Sequence, residues 1–418
     1  MEGGGRGPSR GALRAVAVLS VVGLVTSCTA ESTRDLPPVD VDAPRPSPEP
    51  ASTAQGRLVV IDDLGNLLTL APDGSNELLL EEAVPGQVAV RQPTWSPDGR
   101  RLAWVRVQAG TNGGSVALVT AATDGTQVTE SATPVAPFYL SWDPTSSRIA
   151  YLGSVSPEGI QLGVVHVDAG EVVPLDAGRP LYLSWDPTGS HLLVHVGSDR
   201  LERLDLDGTP TTVHPRPGSF NTPVWTPDGE SFVYASGSGQ RQRLVVHDLE
   251  RERGRGLVRF EGSIVFVVSP DGRRIAFQVV RSRSDVGPLS VVDRETGEVE
   301  QVADGVAPAF FWSPAGDQLL YLGIEPAPGR VWFRWNVWNG VASFSTPRFV
   351  PTDTFGRDYL QFFEQYSQSM RLWSPDGSAF TYAGAAESGE QGVWVQPVAP
   401  DTPPTRVSDG VFVAWSPA

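Results

Sequence analysis

The sequence predicts an all-β chain folded as a single eight-bladed β-propeller, with seven blades as the alternative count. Three observations predict it. An aromatic-turn motif recurs eight times, its spacing is close to 40–45 residues, and the two ends of the folded region each supply part of one blade.

The motif begins at Trp95-Ser96-Pro97-Asp98-Gly99 and returns at Trp142, Trp185, Trp225, Val268, Trp312, Trp373 and Trp415. The intervals are 47, 43, 40, 43, 44, 61 and 42 residues. Ser-Pro-Asp-Gly suits a hairpin turn, because Pro presets φ at the first corner and Gly takes positive φ at the last. A short apolar strand follows each turn, as in Arg101-Leu102-Ala103-Trp104-Val105. The recurrent Trp is read as a wedge packed between neighbouring blades, since seven indoles at one repeat position are hardly seven ligand sites.

The ends complete the ring. Three strands (57–61, 67–70 and 77–80) precede the first motif, and Val411 to Trp415 is a first strand with no companions after it. Together they make one blade, which removes the exposed sheet edges that invite aggregation.

Composition agrees. Gly (44) and Pro (37) make up about a fifth of the 418 residues, against about 12% in ordinary chains. That disfavours a helical bundle, while 12 Trp, 16 Phe and 8 Tyr supply the core-forming surface a disordered chain lacks. The net charge of −16 repels nucleic acid. All 32 basic residues are Arg, which excludes Schiff-base and P-loop lysine chemistry. One cysteine allows neither an internal disulfide nor a multi-Cys zinc site.

The first 55 residues have a different character. Arg6, Arg10 and Arg14 precede an apolar run, Ala15 to Val25, too short to span a bilayer. Val25-Thr26-Ser27-Cys28 follows and looks like a bacterial lipobox, so residues 1–27 are expected to be a signal peptide and Cys28 the lipidated residue. Residues 28–55 carry Pro37, Pro38, Pro44, Pro46, Pro48 and Pro50 and read as an extended tether. Residues 57–418 form the propeller. The expectation is a monomer held outside the cytoplasm on a membrane surface.

The unit Trp-Ser-Pro-Asp-Gly-x-x-(Ile/Leu)-Ala-(Phe/Trp/Tyr) resembles the PD40 repeat of TolB-like propellers, and similar units occur in the propellers of prolyl-oligopeptidase-type enzymes. The resemblance covers 57–418. It departs from the pattern at Val268, Ala315, Thr145 and Thr188. It implies extracytoplasmic binding or scaffolding without naming a ligand.

The 61-residue interval holds an insertion. Tyr359, Phe363, Tyr366 and Met370 fall on one helical face, so a short amphipathic helix is expected near 355–370. Its expected place is the connection between the outer strand of one blade and the inner strand of the next. Either it caps hydrophobic blade surface, or it lines a cleft with Gln365, Tyr366, Ser369 and Arg371 towards a ligand.

Channel-facing positions are expected three or four residues before each motif aromatic, since strand side chains alternate. These include Arg91, Gln92, Tyr139, Tyr182 and Asn221 as candidate binding groups, or as channel filler.

Catalytic signals are sparse. His191 and His195 share a strand face but stand roughly 13 Å apart, so no metal site is expected. There is no Gly-x-Ser-x-Gly elbow and no cofactor motif. The repeated Asp-Gly pairs are turn chemistry. Arg251-Glu252-Arg253-Gly254-Arg255 is a basic island, read as a solvated turn or as a contact with anionic lipid. Two functions remain. One is a non-catalytic binding or scaffold module for a cell-envelope protein or ligand. The alternative is a glycan lyase or hydrolase-type enzyme with its site in the channel. The candidate innermost positions hold no His, Asp or Glu, which favours binding without catalysis.

Overall fold

The computed structural model describes residues 56–417, apart from 111–113, 156–158, 215–216 and 342. The signal segment, the tether and Cys28 lie outside the described residues.

The described strands pair antiparallel in seven sheets. The first combines Leu58–Ile61, Leu67–Leu70 and Leu78–Glu81 with Phe412–Trp415 from the other end of the chain. Leu58 pairs with Trp415 and Ile61 with Phe412, so the ring closes as the sequence requires. Meanders starting at Val88, Pro137, Leu181, Val224 and Ser263 follow as separate sheets. The seventh sheet has eight strands. It joins the unit starting at Phe310 to the one containing Ala379–Ala386 through the short strand Phe349–Pro351. Eight repeats therefore occupy six separate sheets and one fused pair. These units are called blades below, numbered in chain order from the closing one.

Each blade is sandwiched between two others, so its middle strands bury both faces. Ile149-Ala150-Tyr151-Leu152 is buried throughout, as is Leu192 to Val196. This is why these strands read as continuous apolar runs rather than as alternating ones.

The motif tryptophans are wedges, each 8% exposed or less. They also form hydrogen bonds around the ring. Five of the indole N–H groups reach back to the carbonyl just before the previous blade's motif position. Trp95 donates to Ala414, Trp142 to Thr94, Trp185 to Ser141, Trp312 to Val267 and Trp373 to Phe311, at 3.0–3.4 Å. Trp225 Nε1 has no such acceptor.

The turns explain the variant repeats. In the common form Ser96 Oγ donates to Asp98 Oδ1 (2.6 Å), Arg101 N–H donates to Ser96 Oγ, and Gly99 sits at φ 69°. In the third and fourth blades the two groups exchange places. Thr145 Oγ1 donates to Asp143 Oδ2 and Thr188 Oγ1 to Asp186 Oδ2. Where Ala315 replaces the usual Asp, Asp317 receives the Ser313 hydroxyl instead. One hydroxyl and one carboxylate close each of these turns whichever order the sequence uses.

Candidate functional site

The insertion does not lie between two blades. It interrupts the innermost strand of the eighth blade. Phe349–Pro351 pairs with residues 384–386 at one end of the neighbouring strand, and Trp373 bridges Phe380 at the other. The chain between them leaves the sheet and enters the central channel. The expected single helix is three short turns in succession: Phe355–Tyr359, Leu360–Phe362 and Phe363–Tyr366. The expected apolar face is nevertheless correct, because Tyr359, Phe363, Tyr366 and Met370 are all buried.

This segment is a hub that touches the inner strands of the blades around it. Tyr359 stacks on Phe412 of the first blade, with ring centroids 4.8 Å apart. The Tyr366 hydroxyl donates to the Phe138 carbonyl and lies 2.9 Å from Gln92 Oε1, which ties in the second and third blades. Tyr139 donates to the Gln365 carbonyl (3.1 Å). The Gln365 carboxamide grips the fourth blade: Oε1 accepts the Leu183 N–H (2.8 Å) and Nε2 donates to the Leu183 carbonyl (2.9 Å). The Glu364 carboxyl faces the backbone of Thr222, at the entry to the fifth blade, whose N–H favours its charged form. Phe363 packs on Phe310 and Phe311 of the seventh. A recess of about 10 Å³ remains among Gln92, Tyr359, Tyr366, Ser369 and Arg371, room for a single water.

The expected site residues divide into three groups. Gln92, Tyr139, Gln365 and Tyr366 are brought together, but as the contacts that hold the plug. Gln365 is 2% exposed, and its side chain faces Leu183 rather than a cleft, which corrects its expected direction. Gln92 adopts φ 57° at an irregularity in its strand, a strained conformation that turns its amide towards Tyr366. Asn221 and Tyr182 lie at the seam between the fourth and fifth blades. Asn221 is fully buried, with both amide atoms unpartnered, and the Tyr182 ring packs against Phe220 in a tilted pair with centroids 4.7 Å apart. Arg91, Ser369 and Arg371 remain accessible. Arg371 is exposed yet enclosed by the channel wall, which lowers its pKa by desolvation, and among the described residues it forms no ion pair.

Burial governs the electrostatics. It raises the pKa of Tyr139, Tyr359 and Tyr366, keeping each phenol a hydrogen-bond donor. It pushes the Glu364 carboxyl up to about 8, against the opposing bond from Thr222. It depresses His195 to about 4, although that ring shares a hydrogen bond with the Asn221 carbonyl at 3.0 Å. Sequence reasoning missed Glu364 altogether, because a carboxylate on a short helix reads as solvent-facing. It set His195 aside because its spacing from His191 carries no metal signature. Among the described residues no cluster of three or more His, Cys, Asp or Glu could hold a metal.

No family model and no curated protein matches this chain. Solved structures share its fold. An oligogalacturonate lyase in complex with manganese aligns over 83% of this chain and 99% of its own, with a TM-score of 0.51 and 13% identity. A prolyl endopeptidase aligns over 79% of this chain and half of its own, with a TM-score of 0.51 and 12% identity. TolB from Acinetobacter baumannii aligns over 67% and 75%, with a TM-score of 0.41 and 17% identity. The chain is a β-propeller whose motifs resemble the PD40 repeat of TolB-like propellers, and likeness to solved structures at these identities is a likeness of fold. The expectation that it has no catalytic role is corrected. The same fold is shared with a lyase and a peptidase, and Glu364 and His195 reach the region from which His, Asp and Glu seemed absent.

Proposed function

We propose that the chain is an extracytoplasmic lipoprotein, anchored at Cys28, whose propeller binds a cell-envelope protein or ligand at the mouth of its plugged channel. The anchor rests on the sole cysteine standing at the lipobox position. The observation that carries the binding site is Arg371. An exposed guanidinium with no carboxylate partner, held against a concave wall in a chain of net charge −16, is suited to an anionic group on a partner. Ser369 and Gln92 supply polar neighbours. The plug itself fills the channel, so the partner meets the rim and not the interior. Crosslinking in intact cells, followed by capture of the propeller, tests this reading. Arg371→Gln should lose the captured envelope partner while keeping the wild-type melting temperature. Undiminished capture would remove Arg371 from the site.

A second reading is favoured by Glu364. A carboxyl held protonated near neutral pH is the state a general acid requires. In this reading Glu364 protonates the glycosidic oxygen of a glycan held at the channel mouth as the C–O bond breaks, and water adds to the sugar carbon. Glycan cleavage by the wild type, abolished in Glu364→Gln, is the outcome it requires.

A further inference from the structure

The arginines are unevenly placed. Eleven of the 32 lie between Arg241 and Arg294, against seven acidic residues, so this stretch carries +4 in a chain of −16. The concentration is densest in the fifth blade. Its outermost strand, Arg253–Phe260, is the edge of its sheet. Arg253, Arg255 and Arg259 on this strand are exposed, as are Arg241 and Arg243 on the segment beside it.

These side chains are not there to make ion pairs. Arg243 stands directly opposite Arg259 in the strand register, a like-charge pair that costs stability. Asp248 faces Arg253 in register but gives its carboxylate to Arg251 at 2.5 Å. Arg255 reaches the carbonyls of Arg294 and Glu295 in the next blade. Arg241, Arg243, Arg253 and Arg259 have no acidic partner among the described residues.

Charge on a sheet edge often serves only to block edge-to-edge pairing. The other blades argue against that account here. The outer strands Leu78–Glu81, Thr129–Ala132, Glu171–Gly178, Pro210–His214 and Val299–Ala303 contain no arginine. Arg406, on the outer strand Thr405–Ser408, is paired with Glu390 and Asp409. Among the described outer strands, only that of the fifth blade gathers several arginines and leaves them without acidic partners.

We propose that the outer edge of the fifth blade, through Arg241, Arg243, Arg253 and Arg259, docks on an anionic lipid surface. The choice of a lipid surface rests on the anchored reading above. The 28 residues from Cys28 to Gln55 reach at most about 95 Å, so any side of the ring can meet the bilayer that holds the chain. Docking by this edge sets the ring on its side, with the plugged channel and Arg371 facing along the membrane.

The test uses the full chain carrying Cys28→Ser, so that no lipid contributes. It is sedimented with phosphatidylcholine vesicles, with and without phosphatidylglycerol, and with dextran sulfate as a soluble polyanion. Binding to the anionic vesicles alone is expected. It should weaken steeply with salt, because the screening length falls from about 10 Å at 0.1 M to about 3 Å at 1 M. Each arginine near such a surface is worth roughly five-fold in affinity. Arg243→Gln, Arg253→Gln and Arg259→Gln together should therefore cost roughly a hundred-fold, with the melting temperature unchanged or raised. Equal binding to both vesicles, binding to neither, or an unaffected triple variant overturns the proposal. Capture by dextran sulfate without capture by anionic vesicles also overturns it, in favour of an acidic glycan. The anchor is read separately, by whether Cys28→Ser frees the protein from cell membranes.

Discussion

The carboxamide of Gln365 meets both backbone polar groups of Leu183, a residue 182 positions away, at 2.8 and 2.9 Å. The side chain imitates a neighbouring strand. It satisfies the inner edge of the fourth blade, where no strand of the sheet continues, and fixes the depth of the plug.

Gln365→Ala leaves a buried N–H and, apart from the Gln368 amide at 3.0 Å, a buried carbonyl without their partners. The expected cost is about 2–4 kcal/mol. It should be seen as a lower denaturation midpoint in urea. An unchanged midpoint would mean that the plug contributes nothing to holding the ring.

Glu364 makes stability depend on pH in a defined direction. Its folded pKa of about 8 lies above the ordinary 4.5, so its contribution is fully present below pH 4.5 and is lost as pH rises through 8. His195 acts in the opposite sense. Its folded pKa of about 4 lies below 6.5, so its contribution is present above pH 6.5 and lost as pH falls towards 4. The two slopes oppose each other between about pH 4.5 and 6.5, and a decline due to Glu364 remains from 6.5 to 8. Glu364→Gln should remove that decline and raise stability at pH 9 by on the order of 2 kcal/mol. Thermal melts of both proteins across pH 5–9 give the comparison.

Trp185 and Trp225 are equally buried, at 8% exposure each. Only Trp185 hydrogen-bonds to the preceding blade, through the Ser141 carbonyl at 3.0 Å, whereas Trp225 Nε1 is unpartnered. Trp185→Phe should therefore cost about 1 kcal/mol more than Trp225→Phe. Equal losses in parallel urea titrations would assign the whole effect of these residues to packing.

The exchanged turn of the third blade gives a double-mutant cycle. Asp143→Ser and Thr145→Asp each break the Thr145–Asp143 hydrogen bond, while the two together recreate the Ser-Pro-Asp form seen at Ser96–Asp98. The double variant should be more stable than the sum of the single losses allows, with a coupling of about 1 kcal/mol. Additive losses would show that the two turn forms are not equivalent.

The sequence by itself determined the repeat, the turns, the closing strand and the buried faces, because each is a local pattern copied many times. The Ser-Pro-Asp-Gly turn and its variants share one economical conformation, and eight repeats of the motif leave few ways to stack. The apolar spacing of Tyr359, Phe363, Tyr366 and Met370 likewise showed which side of the insertion would be buried. What it would be buried in depended on the ring. Only the tertiary structure decided that the segment interrupts an inner strand and fills the channel, because that fact lies in pairings between residues 349–351 and 384–386 and in contacts up to 274 positions apart. For the same reason Gln365 looked like a ligand group and Glu364 like a surface carboxylate. A polar side chain announces its hydrogen-bonding capacity in the sequence, but whether water, backbone or a partner satisfies it is settled by what the fold brings alongside.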